Sequence, residues 1–302
     1  MRVLKKYDIE DFLFIDIETA HGDNNFTEKS PMYDAWFYDW DKDGSAKKLS
    51  EDPIQDYYSK STLFAEYGRI VCITIGLVRG GKLRLKSFTG DHDEKALLEE
   101  FNDMLETFVN NKTWLSGHAI TGFDGPYIMK RCLINQVKVN PLFDVAHLKP
   151  WEVNYMDTMT LWKSTSWSPS SLIALSTSLG LPSSKDDISG KDVGRIFYEG
   201  GLDRIVTYCE KDVVAVANII SRLRFEELLE VAEIVKEGKT PILNYLRQGG
   251  KYTDEVKQEL QILLDGLEKK DKALAVEILN TIPTRAKGKV THITKKDIKE
   301  LT

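Results

Sequence analysis

The segment from Arg69 to Lys86 constrains the fold more strongly than any other part of this 302-residue chain. Arg69–Val78 is an almost continuous apolar run, which predicts a buried β-strand. Gly80-Gly81 follows, and such a pair is typical of a two-residue hairpin turn. The returning segment Lys82–Lys86 alternates basic residues with leucine, so one of its faces is basic and the other apolar. The sequence therefore predicts an antiparallel β-hairpin within a sheet.

The rest of the first 225 residues alternates between short apolar runs and helical spacing. Phe12–Ile15 is an apolar run that meets polar residues at Asp16, and it predicts a buried strand. Further patterns indicate a helix over 93–110, a strand over Thr113–Gly117, and helices over 123–133, 170–179 and 203–222. This order predicts an α/β fold in which helices flank a mixed β-sheet.

Two regions depart from this alternation. Residues 20–66 are acidic and aromatic without a sustained period, and they indicate an irregular segment, called the insertion below. Beyond residue 225 the pattern changes to charge-rich amphipathic helices over Glu226–Glu237, Asp254–Leu267 and Lys270–Leu279, followed by a basic tail. We therefore predict one domain over 1–225 and a helical C-terminal extension over 226–302.

Aromatic residues are frequent in the insertion. They are Trp36, Phe37, Tyr38, Trp40, Tyr57 and Tyr58. Such side chains can stack on unpaired bases, or they can pack the insertion against the domain. We favour packing.

Composition limits the class of protein. The three cysteines, Cys72, Cys132 and Cys209, lie in apolar stretches, which predicts buried thiols in a reducing compartment. No apolar run has the length of a signal peptide or a membrane span, so we expect a soluble cytoplasmic protein without a membrane partner. The net charge of −6 argues against a nonspecific DNA coat but not against a metal-dependent nuclease, which concentrates carboxylates at its centre.

Asp16 and Glu18 are two residues apart at the end of the first predicted strand. Both side chains therefore project from one face, where carboxylate oxygens suit a hard cation such as Mg²⁺. The pattern Asp-x-Glu also occurs by chance, as Asp8-Ile9-Glu10 in a polar stretch illustrates. The position of Asp16 and Glu18 after an apolar run favours a functional pair, because burying two like charges without a partner is costly.

Two later segments carry further acids. A glycine-containing turn after the strand Thr113–Gly117 brings Asp124 to the start of a helix, where it is a candidate ligand or merely a helix N-cap. Tyr208 and Asp212 are four residues apart in a helical pattern and share an otherwise apolar face. Four carboxylates without a paired histidine or cysteine site suit two-metal phosphodiester hydrolysis, with Tyr208 orienting the attacking water.

In that order, the segments Asp16-Ile17-Glu18-Thr19, Phe123-Asp124 and Tyr208-x-x-x-Asp212 resemble the three exonuclease motifs of the DEDD superfamily. The tyrosine places the resemblance in the DEDDy branch, near free-standing exonucleases similar to the proofreading domain of family B DNA polymerases. It spans about residues 8 to 222. It implies a ribonuclease H-like fold and 3′→5′ removal of nucleotides from single-stranded DNA ends, in replication or repair.

The resemblance also implies roles for single residues. The expected metal ligands are Asp16, Glu18, Asp124 and Asp212, holding two Mg²⁺ or Mn²⁺ ions. Tyr208 is expected beside the attacking water, and Thr19 and Phe123 are expected to contact substrate. Relatives usually carry asparagine where this chain has Ala119. We therefore expect the contacts to the DNA strand to differ from those of relatives, and metal binding to be unaffected.

Other interpretations stay open. The chain has no room for a polymerase, so a polymerase or another replication or repair protein would act in trans. Related folds degrade RNA, so an exoribonuclease is an alternative, as is a non-catalytic nucleic-acid-binding module. We interpret His118 and His147 as structural, Asp157 as a helix cap or a residue behind the ligands, and the basic face of Lys82–Lys86 as a solvated hairpin edge.

Overall fold

The computed structural model describes residues 1–40, 52–90, 93–108, 112–182, 188–231, 283–286 and 289–292. The chain divides into two compact units, Met1–Ala232 and Glu233–Thr302. This division lies a little beyond the predicted domain boundary near residue 225, where the helix Leu202–Arg224 has ended.

The first unit is built on a six-stranded mixed sheet with the order β5-β4-β1-β2-β3-β6. The strands are β1 Phe12–His21, β2 Gly68–Arg79, β3 Lys82–Thr89, β4 Trp114–Gly117, β5 Tyr155–Asp157 and β6 Glu230–Val231. The first three form an antiparallel meander, β4 is parallel to β1, and β5 is parallel to β4. Gly80 and Gly81 have φ of 60° and 77°, the conformation that a two-residue hairpin turn requires. The predicted hairpin and mixed sheet are confirmed.

Helices cover both faces of this sheet. In the described residues they are α1 Tyr33–Trp40, α2 Pro53–Lys60, α3 Glu94–Phe108, α4 Asp124–Ile134, α5 Thr158–Lys163, α6 Leu172–Ser178, α7 Val193–Tyr198 and α8 Leu202–Arg224. Short 3₁₀ turns occur at Leu4–Lys6, Ile9–Asp11 and Ser61–Leu63. The α/β class predicted from the sequence is the architecture observed.

The pleat of β1 separates two apolar cores. Leu13, Ile15 and Ile17 pack with α3 and α4, whereas Phe12 and Phe14 pack with α8. Asp16 and Glu18 continue the parity of Phe12 and Phe14, so they belong to the face that α8 covers. The packing of β1 between the two cores therefore places the acids on the side of the sheet that α8 covers.

The predicted insertion contains more regular structure than its sequence indicates. β1 continues to His21, and α1 and α2 lie within the segment interpreted as irregular. A separate aromatic cluster holds it together, formed by Phe26, Trp36, Tyr57 and Tyr67. Packing is thus the observed role of Trp36 and Tyr57, while Phe37 and Tyr38 are exposed. The side chain of Trp40 lies outside the described residues.

The helix predicted over Glu226–Glu237 is wrong in its described part. Residues 226–229 form no helix, Leu229 donates its backbone N–H to Asn218 Oδ1, and β6 pairs with Lys82 and Leu83 of β3. Strand pairing at the free edge of β3 outweighs the local helical pattern. The predicted helices over 254–267 and 270–279 lie outside the described residues. Within the expected basic tail, β7 Pro283–Ala286 and β8 Lys289–His292 pair as an antiparallel hairpin.

Among the described residues, no helix combines the length and the apolar character needed to cross a membrane. The three cysteines are buried as free thiols, as expected from their apolar sequence context.

Candidate active site

Strand β1 supplies the first two acids. Asp16 pairs opposite Thr74 and Glu18 opposite Cys72, both on β2. The sequence suggested that these acids end the strand, but pairing continues to His21 opposite Gly68, with an irregularity between Glu18 and Thr19. The acids therefore lie inside the stretch of β1 that is paired with β2, which fixes their backbone more firmly than a strand end would.

Asp124 reaches β1 from the other side. Strand β4 ends at Gly117, so it leaves the N–H of Ile17 without a strand partner on that side. Asp124 Oδ1 accepts this hydrogen bond at 3.2 Å. As the first residue of α4, Asp124 also lies at the positive end of that helix. It therefore contacts the backbone between Asp16 and Glu18.

The loop before Asp124 is held by Asp157. Asp157 accepts from the backbone N–H of Ala119 at 3.0 Å and from that of Thr121 at 3.2 Å. The same carboxylate caps α5 by accepting from the N–H of Met159 and of Thr160. Asp157 is thus both a helix cap and a clamp on the loop, which combines the two interpretations left open by the sequence.

Helix α8 supplies the remaining side chains. Asp212 is buried on the helix face that packs against the sheet, and the Tyr208 hydroxyl hydrogen-bonds its carboxylate one turn away. The thiol of Cys209 donates to Asp16, with Sγ 3.4 Å from both the backbone oxygen and Oδ2. A ligand atom of Asp16, one of Glu18 and the Cys209 sulfur lie within 4.8 Å of one another. These contacts bring α8 and β1 together at the acids.

The electrostatics agree with this convergence. Burial raises the pKa of Asp16 well above its ordinary value, and the charges of Asp124 and Asp212 raise it further. Burial likewise raises the pKa of Glu18, followed by the charges of Asp16 and Asp212. Burial raises the pKa of Asp124 to about 7, although the hydrogen bond from Ile17 opposes the shift. Each ionised acid therefore disfavours ionisation of its neighbours.

The donor set fits a divalent metal centre. No ion pair in the described part of the chain includes Asp16, Glu18 or Asp124. Carboxylate oxygens are the ligands that Mg²⁺ and Mn²⁺ prefer, and a bound cation would offset the repulsion among these acids. Asp16, Glu18, Asp124 and Asp212 are the residues that could hold such ions.

Comparison with known proteins gives this arrangement a family. Residues 61–237, more than half of the chain, match the model of a family described as a predicted 3′-5′ exonuclease related to the exonuclease domain of PolB. The chain belongs to this family. The matched region contains Asp124, Tyr208 and Asp212 and begins after Asp16 and Glu18.

A viral protein is also similar to the chain. The DNA polymerase catalytic subunit of Human herpesvirus 8 type P (isolate GK18) is 27% identical over 189 residues. The alignment covers 54% of this chain and 18% of the polymerase, so the chain spans less than a fifth of that relative. The family description and this relative both connect the chain with DNA polymerases, and the family description specifies a PolB-like 3′-5′ exonuclease domain.

Other residues singled out in this exonuclease-family chain have structural contacts. Thr19 donates its hydroxyl to the backbone oxygen of Thr62 at 2.9 Å, and Phe123 packs against Tyr127. Their contact with substrate stays a prediction. His118 bridges Thr158 Oγ1 and the backbone oxygen of Ser170, which agrees with a structural role, and His147 is exposed.

The contact between Cys209 and Asp16 was not predicted from the sequence. Cys209 was interpreted only as a buried thiol, although it directly follows Tyr208 and precedes Asp212 by three residues. In a helix, residues three apart share a face, so its position relative to Asp212 was the available signal.

Proposed function

We propose that this protein is a metal-dependent 3′→5′ exonuclease that releases nucleoside monophosphates from the 3′ ends of single-stranded DNA. The proposed ligands for two Mg²⁺ or Mn²⁺ ions are Asp16, Glu18, Asp124 and Asp212. The observation that carries this proposal is the convergence of buried acids from β1, α4 and α8, with Asp124 bonded to the backbone between the two acids of β1. A protein with no need for cations gains nothing from such repulsion.

The chemistry is hydrolysis of the last phosphodiester bond. A water oxygen bonds to phosphorus, the bond from phosphorus to the 3′ oxygen breaks, and that oxygen takes a proton to become the new 3′ hydroxyl. Bound divalent cations would lower the pKa of the water and neutralise charge on the phosphate. The carboxylates would hold their positions because β1 pairs with β2 along the stretch that carries them, Asp124 is bonded to Ile17, and α8 is packed in the core.

Tyr208 would orient the water and not deprotonate it. Burial, and then the charges of Asp212 and Glu18, raise the pKa of its phenol far above neutrality. The hydroxyl therefore stays protonated and can position a water by hydrogen bonding. We thus expect Tyr208→Phe to lower kcat strongly while metal binding persists, because no ligand is removed.

Single-stranded DNA is the proposed substrate because the family is related to the exonuclease domain of a DNA polymerase. A polymerase, or another protein of replication or repair, would act with this protein in trans. RNA is the competing substrate, since recognition of a 2′-hydroxyl depends on contacts that bound substrate would reveal.

The decisive experiment uses 5′-labelled single strands of DNA and RNA, incubated with Mg²⁺ or Mn²⁺. We expect a ladder that shortens from the 3′ end of DNA, and no ladder with Asp212→Asn. Asp203→Asn is the matched control, because Asp203 is an exposed acid on the same helix, and it should retain activity. Equal laddering of RNA would indicate an exoribonuclease. Binding without hydrolysis under either metal would indicate a non-catalytic module.

A further inference from the structure

The segment between β5 and α6 exposes aromatic surface and is hydrogen-bonded to the loop that leads to Asp124. Three of the six tryptophans of the chain, Trp151, Trp162 and Trp167, occur in or just before this segment, with exposed fractions of 76%, 41% and 88%. By contrast, Trp36 is fully buried and Trp114 is half-buried. Tryptophan is usually largely buried, so exposed tryptophans close together in the chain indicate an interaction surface.

Trp162, Lys163 and Trp167 form what we call the tryptophan ridge. The turn after α5 is ordered, because Ser164 donates its N–H to the oxygen of Thr160 at 3.0 Å and Ser166 donates to that of Lys163 at 2.8 Å. Leu161 and Leu172, which flank the ridge, pack against the core beside α8. Because these two leucines pack against the core, the segment between them is held at the surface, where the ridge is exposed.

The ridge is joined to the loop that leads to Asp124. His118 in that loop hydrogen-bonds Thr158 Oγ1 at 3.0 Å and the backbone oxygen of Ser170 at 2.9 Å. Trp167 is three residues from Ser170, a separation of at most about 10 Å. Trp162 is four residues from Thr158, about 6 Å along a helix. Both tryptophans thus lie within about two nucleotide lengths of residues that contact the loop.

The chemistry of the ridge fits unpaired nucleotides. Indole rings stack on bases of any sequence, and a lysine next to one of them in the chain can contact a phosphate. Lys163 forms no ion pair within the described residues, so its charge is available for such a contact. A purely apolar protein partner would have no use for a charged residue directly after Trp162.

We infer that the tryptophan ridge binds the single strand upstream of its 3′ end, stacking bases on Trp162 and Trp167 while the terminal phosphodiester lies among the carboxylates. This inference rests on the proposed function. It names a binding surface for nucleotides that are not themselves cleaved. Substrates too short to reach the ridge should therefore be hydrolysed independently of it.

The test compares wild type with the double variant Trp162→Ala/Trp167→Ala. Binding of a fluorescent dT12 strand is measured by anisotropy in EDTA, which does not depend on hydrolysis. Loss of one stacking aromatic weakens binding by about fivefold or more, so the double variant should bind at least about 25-fold more weakly. Hydrolysis of the dinucleotide pdTpdT should stay within about twofold of wild type. Trp151→Ala is the control, because Trp151 is also exposed but is located before β5, and this variant should bind dT12 like wild type.

Several outcomes would overturn the inference. One is equal binding of dT12 by the wild type and the double variant, and another is an equal loss with Trp151→Ala. A third is a change in the sedimentation of the double variant without a change in dT12 binding, which would indicate that the ridge binds a second copy of the chain. If wild type binds dT12 through the ridge but hydrolyses neither substrate, the proposed activity fails while the ridge is supported.

Discussion

Neutralising one buried acid should stabilise the metal-free protein in a pH-dependent way. Asp124 is 3% exposed, and burial raises the pKa of its carboxyl from 3.8 to about 7. Asp124→Asn removes the charge but keeps an oxygen that can accept from Ile17. At pH 8 in EDTA, we therefore expect the variant to be more stable than wild type.

The direction of this pH dependence follows from the linkage between proton binding and folding. Because the pKa of Asp124 is higher in the folded than in the unfolded state, its stabilising contribution is complete below about pH 4 and is lost as the pH rises through about 7. A shift of about three units corresponds to about 4 kcal/mol at 1.36 kcal/mol per unit. This value is an upper limit, because neighbouring acids share the protons.

The assay is urea unfolding at pH 5 and pH 8 in EDTA. The stability of Asp124→Asn relative to wild type should increase by up to about 3 kcal/mol between these values, since about one unit of the shift is already lost at pH 5. The control Asp103→Asn replaces an exposed acid on α3. Its stability relative to wild type should be the same at pH 5 and at pH 8. The reasoning would be refuted if the stability advantage of Asp124→Asn over wild type stayed constant or became smaller towards pH 8.

Three further perturbations test the fold around the site. Ala119 has φ of 67°, so Ala119→Asn should raise the free energy of unfolding by about 0.5 kcal/mol, read as a higher Tm, because asparagine tolerates this conformation better. Glu94 is buried and accepts from Arg131 Nε at 2.8 Å, so Glu94→Ala should cost about 3–5 kcal/mol in urea unfolding by leaving that charge unpaired; an unchanged midpoint would contradict this pairing. Trp36 is fully buried and donates to the oxygen of Pro53, so Trp36→Ala should cost about 3–5 kcal/mol, whereas a surface role would leave stability unchanged.

Local periodicity was sufficient to predict parts of the site. A strand period of two places Asp16 and Glu18 on one face, and a helical separation of four places Tyr208 beside Asp212. Both relationships depend only on neighbours in the chain, and both are observed. The glycine pair after β2 likewise predicted a hairpin whose strands are in register.

Relationships between distant segments could not be derived in this way. The bond from Ile17 to Asp124 exists because β4 ends before it reaches that point of β1. The contact of Cys209 with Asp16 depends on where α8 crosses the sheet. The extended segment at Glu230 replaces a predicted helix because a strand edge is available on β3. Each outcome is decided by a partner that local patterns do not specify.

The same lack of tertiary information explains why aromatic residues were harder to interpret than acids. An acid on an apolar helix face, such as Asp212, is informative in the sequence because burial without a partner is costly. A tryptophan is compatible with either environment, since its indole can fill a core, as Trp36 does, or stack on a base in solution. Only the packing of Leu161 and Leu172 shows that Trp162 is held outside the core. Carboxylates therefore locate the chemistry from sequence, whereas the surface that guides a strand towards it emerges only from the fold.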